Sequence, residues 1–376
     1  MGSRAISIKT SEGIIETPTR SLSASELMKL KGIRNESEIP ASPFDVADEP
    51  FPWQIYEGTI KYDRNTVDNM LNSSNGLSDK KSTINSKISP VNSLLGEGES
   101  KKLLKMIYPK VKADDTYTVQ EIGMLAEIQY ESNVDIIVLP EIKAGCKADQ
   151  FKNSIKEVSK LLDNLGNKKP IMPVVHINCG YHEFENKINY IYDSGFGMAG
   201  IICHTYHVKA GLHVLRGKIR ELENFWIHGF GAWRTRRNSQ LYNPHAAQVW
   251  GIDSVGIGAQ GGGRKKKDND TQEAISQNEI LRGYNSEDWG MHRVNPTGIE
   301  DVLCDCEGCK HYHSSLKIKQ NALDVHEALK SHEQSVIARE RIIEGSYKDF
   351  IKGKKQIKDY YENEIGDINQ SRLNGF

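Results

Sequence analysis

The sequence of 376 residues predicts an α/β fold of the (β/α)8 barrel kind, and three observations predict it. Short apolar runs of strand length alternate with amphipathic stretches of helix length between Thr118 and Ile257. No glycine fingerprint for a phosphate accompanies that alternation, and a barrel accommodates the strand count better than an open nucleotide-binding sheet. Polar residues also gather at successive strand ends, where barrels of this kind carry their chemistry.

Taken in order, Ala5 to Thr17 alternates in polarity around Ser11-Glu12-Gly13 and reads as a hairpin that ends at Pro18. Ser23 and Glu26 have the spacing of a capping box, which predicts a short helix from Ser23 to about Lys31. From about 34 to 114 the pattern weakens, with Pro40, Pro43, Pro50 and Pro52 followed by polar runs, and an irregular insertion is expected. The part from 78 to 102 receives no role. Thr118 caps a helix running to about Tyr130, with Ile122, Leu125, Ala126 and Ile128 on one side.

Val134 to Glu141 then reads as a strand buried on both faces, as parallel strands are. A helix follows from about Ala148 to Leu165. The alternation continues through a strand at Met172–Ile177, a helix at Glu183–Tyr192, a strand at Met198–Cys203 and a helix at Leu212–Leu222. Phe225–His228 is the next strand, Pro244–Val249 starts a helix, and Asp253–Ile257 closes the series. The stretch from 258 to 290 reads as a second insertion. Its triplet Gly261-Gly262-Gly263 lacks the spacing and the Lys-Ser/Thr pair of a phosphate loop. The division is therefore a barrel over 1–300 and a separate C-terminal region over 301–376.

Basic and acidic residues balance, 49 against 50, which argues against wholesale electrostatic capture of nucleic acid and leaves room for a local basic face. Arg234, Arg236 and Arg237 form one basic run, and Arg264 and Lys265 open another. Such runs are either solvated loop charge or phosphate contacts. No run approaches the ~20 apolar residues of a membrane helix and no apolar signal core opens the chain, so a soluble, cytoplasmic protein is expected.

Three of the six cysteines lie within six residues, as Cys304, Cys306 and Cys309. This Cys-x-Cys-x2-Cys turn supplies three thiolates for a borderline cation such as zinc, with Gly308 permitting the bend. His332, on the following helix, is the first choice of fourth ligand, with His326, His311 and His313 as alternatives. Four protein ligands leave no position for a reacting water, so one structural zinc ion is expected. Cys146, Cys179 and Cys203 read as ordinary buried thiols.

Two carboxylates stand out. Asp253, among apolar neighbours at the last strand, has the placement of a nucleophile able to attack a sugar carbon and leave again; an Asp capping the turn before a strand is the plain alternative. Glu141 follows an apolar strand and would emerge where a donor-bearing ring binds, unless it merely opens a helix. Tyr181, His182, Tyr206, His207 and Trp233 offer stacking surfaces for bases, or are packing and surface residues.

In combination these features resemble the tRNA-guanine transglycosylase superfamily. The resemblance runs through Thr10 to Pro18, Ile128-Gln129 with Val134 to Glu141, Ile227 to Gly231, Gly251 to Ser254, and Cys304, Cys306, Cys309 with His332. It implies a barrel carrying a zinc-binding subdomain, and an exchange of guanine in a nucleic acid for a 7-deazaguanine base of the preQ₀ or preQ₁ type through a covalent aspartyl intermediate. Asp253 is the implied nucleophile, although an ungapped match places that residue near Gly256. Glu141, Asn178, Gly180, His204 and Gly229 are the implied base-binding residues, and the two basic runs are the implied nucleic-acid contacts.

The chain departs from the family pattern at three places. Ser73 stands where the motif Asp-Ser-Gly-Gly-Phe has its aspartate, Pro140 stands where an aspartate reads the purine, and His176 to Gly180 replaces a glutamine-glycine-glycine loop. These changes favour the divergent branch that modifies DNA over one acting on tRNA. They are also compatible with a non-catalytic nucleic-acid-binding or partner subunit, or with a homo-oligomer. A zinc hydrolase is the third reading, and the closed metal site counts against it.

Overall fold

The computed structural model describes residues 3–10, 13–23, 26–27, 29, 53–72, 76–101, 103–112, 114–176, 179–203, 214–218, 221–231, 244–256, 281–294, 304–306, 308–309 and 316–354. The fold is α/β with parallel strands. A hairpin of β1 (Ser7–Thr10) and β2 (Gly13–Glu16) opens it, antiparallel as its alternation requires. The parallel strands follow as β3 (Thr19–Arg20), β4 (Leu22–Ser23), β5 (Ile55–Tyr62), β6 (Leu104–Val111), β7 (Ile137–Leu139), β8 (Ile171–His176), β9 (Met198–Ile202), β10 (Trp226–Phe230) and β11 (Ser254–Val255).

Six of these strands pair in the order β3-β11-β10-β9-β8-β7 and three in the order β4-β5-β6. β3 and β4 are separated only by Ser21, so one extended stretch contributes to both sets. An isolated parallel bridge, Met106 to Ile136, links β6 to the residue preceding β7.

The helices are α1 (Arg64–Asn72), α2 (Gly76–Lys101), α3 (Val119–Tyr130), α4 (Ala148–Asn164), α5 (Tyr181–Asp193), α6 (Pro244–Val249), α7 (Leu316–Ile343) and α8 (Tyr347–Lys352). Thr118 caps α3 in a full capping box with Glu121. Ser23 and Glu26 make the same reciprocal pair, at 3.2 and 2.9 Å. Gln129 of α3 reaches β7 with both ends of its amide, accepting from Val138 N and donating to Val138 O at 2.9 Å each.

Alternation along the strands divides the core in two. Ile107, Leu139, Val175, Ile201 and Ile227 pack with helix residues such as Phe151 and Ile155. Their neighbours Met106, Val138, Val174, Ile202 and Trp226 join a second cluster made of strand residues, with Ile15 of the hairpin added at one end.

The expectation of an irregular insertion over 34–114 is corrected. β5, α1, α2 and β6 lie inside it. β6 was obscured by Pro109, which pairs in register with Ile60; a residue without an N–H reads against a central strand. Helix α2 contains Pro90, yet Ile84, Ile88 and Val91 recur at helical spacing and are buried. This gives 78–102 a packing role. In the second expected insertion, 257–280 lies outside the described residues, and an antiparallel pair follows as β12 (Leu281–Asn285) and β13 (Gly290–Val294). Among the described residues no helix is long and apolar enough to cross a membrane.

Candidate functional site

The cysteine turn lies against α7. Gly308 is required there, since a Cβ would come within 2.5 Å of Ala322 O and of His326 N. That close approach brings His326 Nδ1 to 3.4 Å from Cys304 Sγ and 3.2 Å from the Sγ atoms of Cys306 and Cys309. The four ligand atoms lie within 4.8 Å of one another. The Sγ atoms of Cys304 and Cys309 are 3.8 Å apart, about the separation that two bonds of ~2.3 Å at a tetrahedral angle produce. His326 Nε2 sits 2.9 Å from Tyr284 O in β12. A carbonyl only accepts, so Nε2 carries the proton and the Nδ1 lone pair faces the sulfurs, as a ligand requires. A hydrogen bond donated by the Cys306 thiol to Cys309, together with burial, pushes Cys306 up to about 12, and that bond holds Cys309 below its ordinary value. Cys304, Cys306, Cys309 and His326 form a group that could hold a metal ion such as zinc.

His332 is therefore replaced by His326. Six residues further along a helix of 3.6 per turn, His332 faces another side. It is buried against Trp53, ring centroids 5.8 Å apart. Its Nδ1 has no hydrogen-bond partner, and burial pushes its pKa down to about 4.

Asp253 lies at the N-terminal end of the parallel strands, one residue before β11. Arg4 Nε and Nη2 donate to its two oxygens at 2.9 and 2.8 Å, and Ile227 N donates to Oδ2 at 2.8 Å. The same arginine also donates to the carbonyls of Leu222 and Phe225. Burial pushes the Asp253 carboxyl up, against the opposing pull of Arg4. These partners favour the plain alternative for Asp253, a structural role in which it ties the segment before the hairpin to the start of β11.

Glu141 does stand beyond the C-terminal end of β7, yet it too is committed. Lys187 Nζ of α5 donates to Oε1 at 2.7 Å, both side chains being almost fully buried. His176 N and Gly145 N donate to Oε1 and Oε2 at 3.2 and 2.6 Å. Burial raises the Glu141 pKa, with Lys187 acting against it. A carboxylate so occupied fastens the loops after β7 and β8 to α5; it is not free to read a ring edge.

Gly180 precedes α5 at its N-cap position, and Gly229 is an interior residue of β10 paired with Val255 and Ile201. Asn178, His204, Arg234, Arg236, Arg237, Arg264 and Lys265 lie outside the described residues, as do Tyr206, His207 and Trp233. Tyr181 is half-exposed and meets His182 edge to face.

Sequence reasoning missed a polar chain inside the strand-built core. Trp226 Nε1 lies 2.7 Å from Ser254 Oγ, Ser254 Oγ 2.7 Å from His228 Nδ1, and His228 Nε2 3.1 Å from Glu57 Oε2. Ser21 Oγ is 3.1 Å from the same carboxylate oxygen. All five residues are buried. The indole only donates, so Ser254 Oγ accepts from Trp226. At the other end a carboxylate accepts, so His228 Nε2 carries the proton that is donated to Glu57, while Nδ1 shares a hydrogen bond with Ser254 Oγ. An acid inside the apolar run Ile55-Tyr56-Glu57-Gly58 was the available signal. It was lost because that run lay in the segment read as irregular.

No family model matches the chain, and no curated protein does. Among solved structures it is similar to DHODH in complex with ferulenol from Eimeria tenella, at TM-score 0.34 and 8% identity over 48% of this chain and 58% of that one. It is also similar to 2,3-dimethylmalate lyase, a member of the PEP mutase/isocitrate lyase superfamily, at TM-score 0.35 and 9% identity over 64% of this chain and 74% of that one. The chain thus spans little more than half the length of the first. At these scores neither likeness bears on activity.

Proposed function

We propose that the parallel strands close into a (β/α)8 barrel and that the protein is a guanine transglycosylase. It would exchange guanine in a nucleic acid, DNA in preference to tRNA, for a 7-deazaguanine base. The circuit of pairings supports the closure: β3 meets β11, β4 meets β5, and the bridge Met106 to Ile136 spans the remaining seam. The observation that carries the functional reading is the three-cysteine turn folding onto a histidine of α7. Its three thiolates are those of the metal centre implied by the family resemblance, with His326 in place of the His332 implied there, and the proposed barrel is the fold that the resemblance also implies. The metal is zinc in this reading, held by Cys304, Cys306, Cys309 and His326. With four protein ligands it stabilises the C-terminal region and takes no part in bond making.

The ion pair of Asp253 with Arg4, together with Ser73 in the family's aspartate position, favours a second reading: a nucleic-acid-binding or partner subunit of the same fold without catalysis.

Incubating the zinc-loaded protein with guanine-containing DNA or tRNA and labelled preQ₀ or preQ₁ decides between them. Label entering either polymer is expected, more into DNA. No incorporation into either would leave the non-catalytic subunit. Zinc content checks the metal assignment separately. His326→Ala is expected to lower bound zinc sharply, while His332→Ala keeps the wild-type content.

A further inference from the structure

Glu57 differs from the other buried acids in what surrounds its carboxylate. Oε2 receives the imidazole proton of His228 and lies near the Ser21 hydroxyl. Among the described residues Oε1 accepts no hydrogen bond. The side chain itself is 1% exposed. A charge within the strand-built core costs stability unless it is compensated, and such groups concentrate where chemistry is done.

The neighbouring backbone makes room for this carboxylate. A Cβ on Gly256 would fall 1.4 Å from Glu57 Oε2 and 3.0 Å from Oε1. The carboxylate therefore occupies the space that a side chain at 256, directly after β11, would fill. A carboxylate belonging to β5 is delivered to the C-terminal end of β11, the end at which parallel strands present reacting groups.

We propose that Glu57 is the catalytic carboxylate of the site, with Oε1 the attacking atom and His228 the residue that positions it; this rests on the transglycosylase reading. A lone pair of Oε1 forms a bond to C1′ of the target nucleotide while the C1′–N9 bond breaks. Its electron pair leaves on guanine, which takes a proton from water. The incoming 7-deazaguanine gives up its N9 proton to water, its nitrogen forms the new bond to C1′, and the carboxylate departs. One proton is taken and one returned, so the exchange is balanced. The imidazole and hydroxyl orient Oε2 throughout and leave Oε1 free.

The test quenches wild-type protein with DNA or tRNA substrate and maps any covalent nucleotide by peptide mass spectrometry, beside Glu57→Gln and Glu57→Asp. The expected result is a nucleotide adduct on the peptide containing Glu57. Incorporation should fall at least about a thousandfold in Glu57→Gln, with zinc content and melting temperature retained. Glu57→Asp keeps the charge but withdraws it by one methylene, and should fall at least about a hundredfold. An adduct on another residue, or incorporation by Glu57→Gln within about tenfold of wild type, overturns the assignment while leaving the transglycosylase reading intact. A wild-type protein that incorporates label into neither polymer removes that reading, and this assignment with it.

Discussion

Asp253 and Glu57 are both buried carboxylates on the parallel strands, and the difference lies in how their oxygens are used. Asp253 meets a full positive charge: Arg4 grips both oxygens and a backbone N–H adds a third donor. Glu57 meets an imidazole and a hydroxyl, both directed at one oxygen. The first arrangement holds two distant parts of the chain together and leaves nothing for a substrate. The second holds the group through one oxygen and leaves the other without a hydrogen bond among the described residues. A third acid, Glu327 of α7, completes the series, being buried with an Oε1 that has no partner.

The contrast can be broken by removing each group and measuring stability by urea denaturation. Asp253→Ala leaves Arg4 among carbonyls without its counter-charge, and the expected loss is the largest, about 3–5 kcal/mol. A loss under about 1 kcal/mol would show that the pair does not anchor the hairpin. Glu327 should act through pH. Burial raises its pKa to about 8 in the folded protein, whereas an unfolded Glu titrates near ~4.3. The folded state therefore binds the extra proton between those values, so the stability contribution is full below the lower value and is lost as pH rises through about 8. Each pH unit in that window is worth up to about 1.4 kcal/mol. Glu327→Gln is expected to flatten the decline between pH 5 and 8, checked by denaturation at several pH values; an unchanged slope would refute the assignment.

Gly256→Ala comes next. Its methyl group must displace the Glu57 carboxylate from His228, at an expected cost of about 1–3 kcal/mol. Glu57→Gln should matter least, within about 1 kcal/mol, because the amide oxygen still accepts from the imidazole. If Glu57→Gln instead destabilises as strongly as Asp253→Ala, the distinction between an anchoring acid and a reacting one fails.

Local signals made much of this architecture legible. The capping pairs Thr118 with Glu121 and Ser23 with Glu26 depend on a three-residue spacing. The strands around Ile137, Val174, Ile201 and Ile227 are apolar whichever partners they find. β5 and β6 were not legible, because Gly58 and Pro109 interrupt the pattern and only pairing in the sheet compensates for them. At the metal site the cysteine turn was readable from spacing, but the choice between His326 and His332 was not. That choice depends on the rotation of α7 and on the approach that Gly308 permits.

The sequence by itself determined many of the strands and helices between 118 and 255 and the donor chemistry, that is, which residue types supply thiolate, imidazole and carboxylate. These depend on periodicity and on neighbours a few residues apart. The tertiary structure alone decided which acid is neutralised and which is left open. Arg4 and Asp253 are 249 residues apart, and His228 and Glu57 are 171 apart. A carboxylate's role follows from the charges and donors that folding brings within about 3 Å, and no local pattern encodes a contact across that separation.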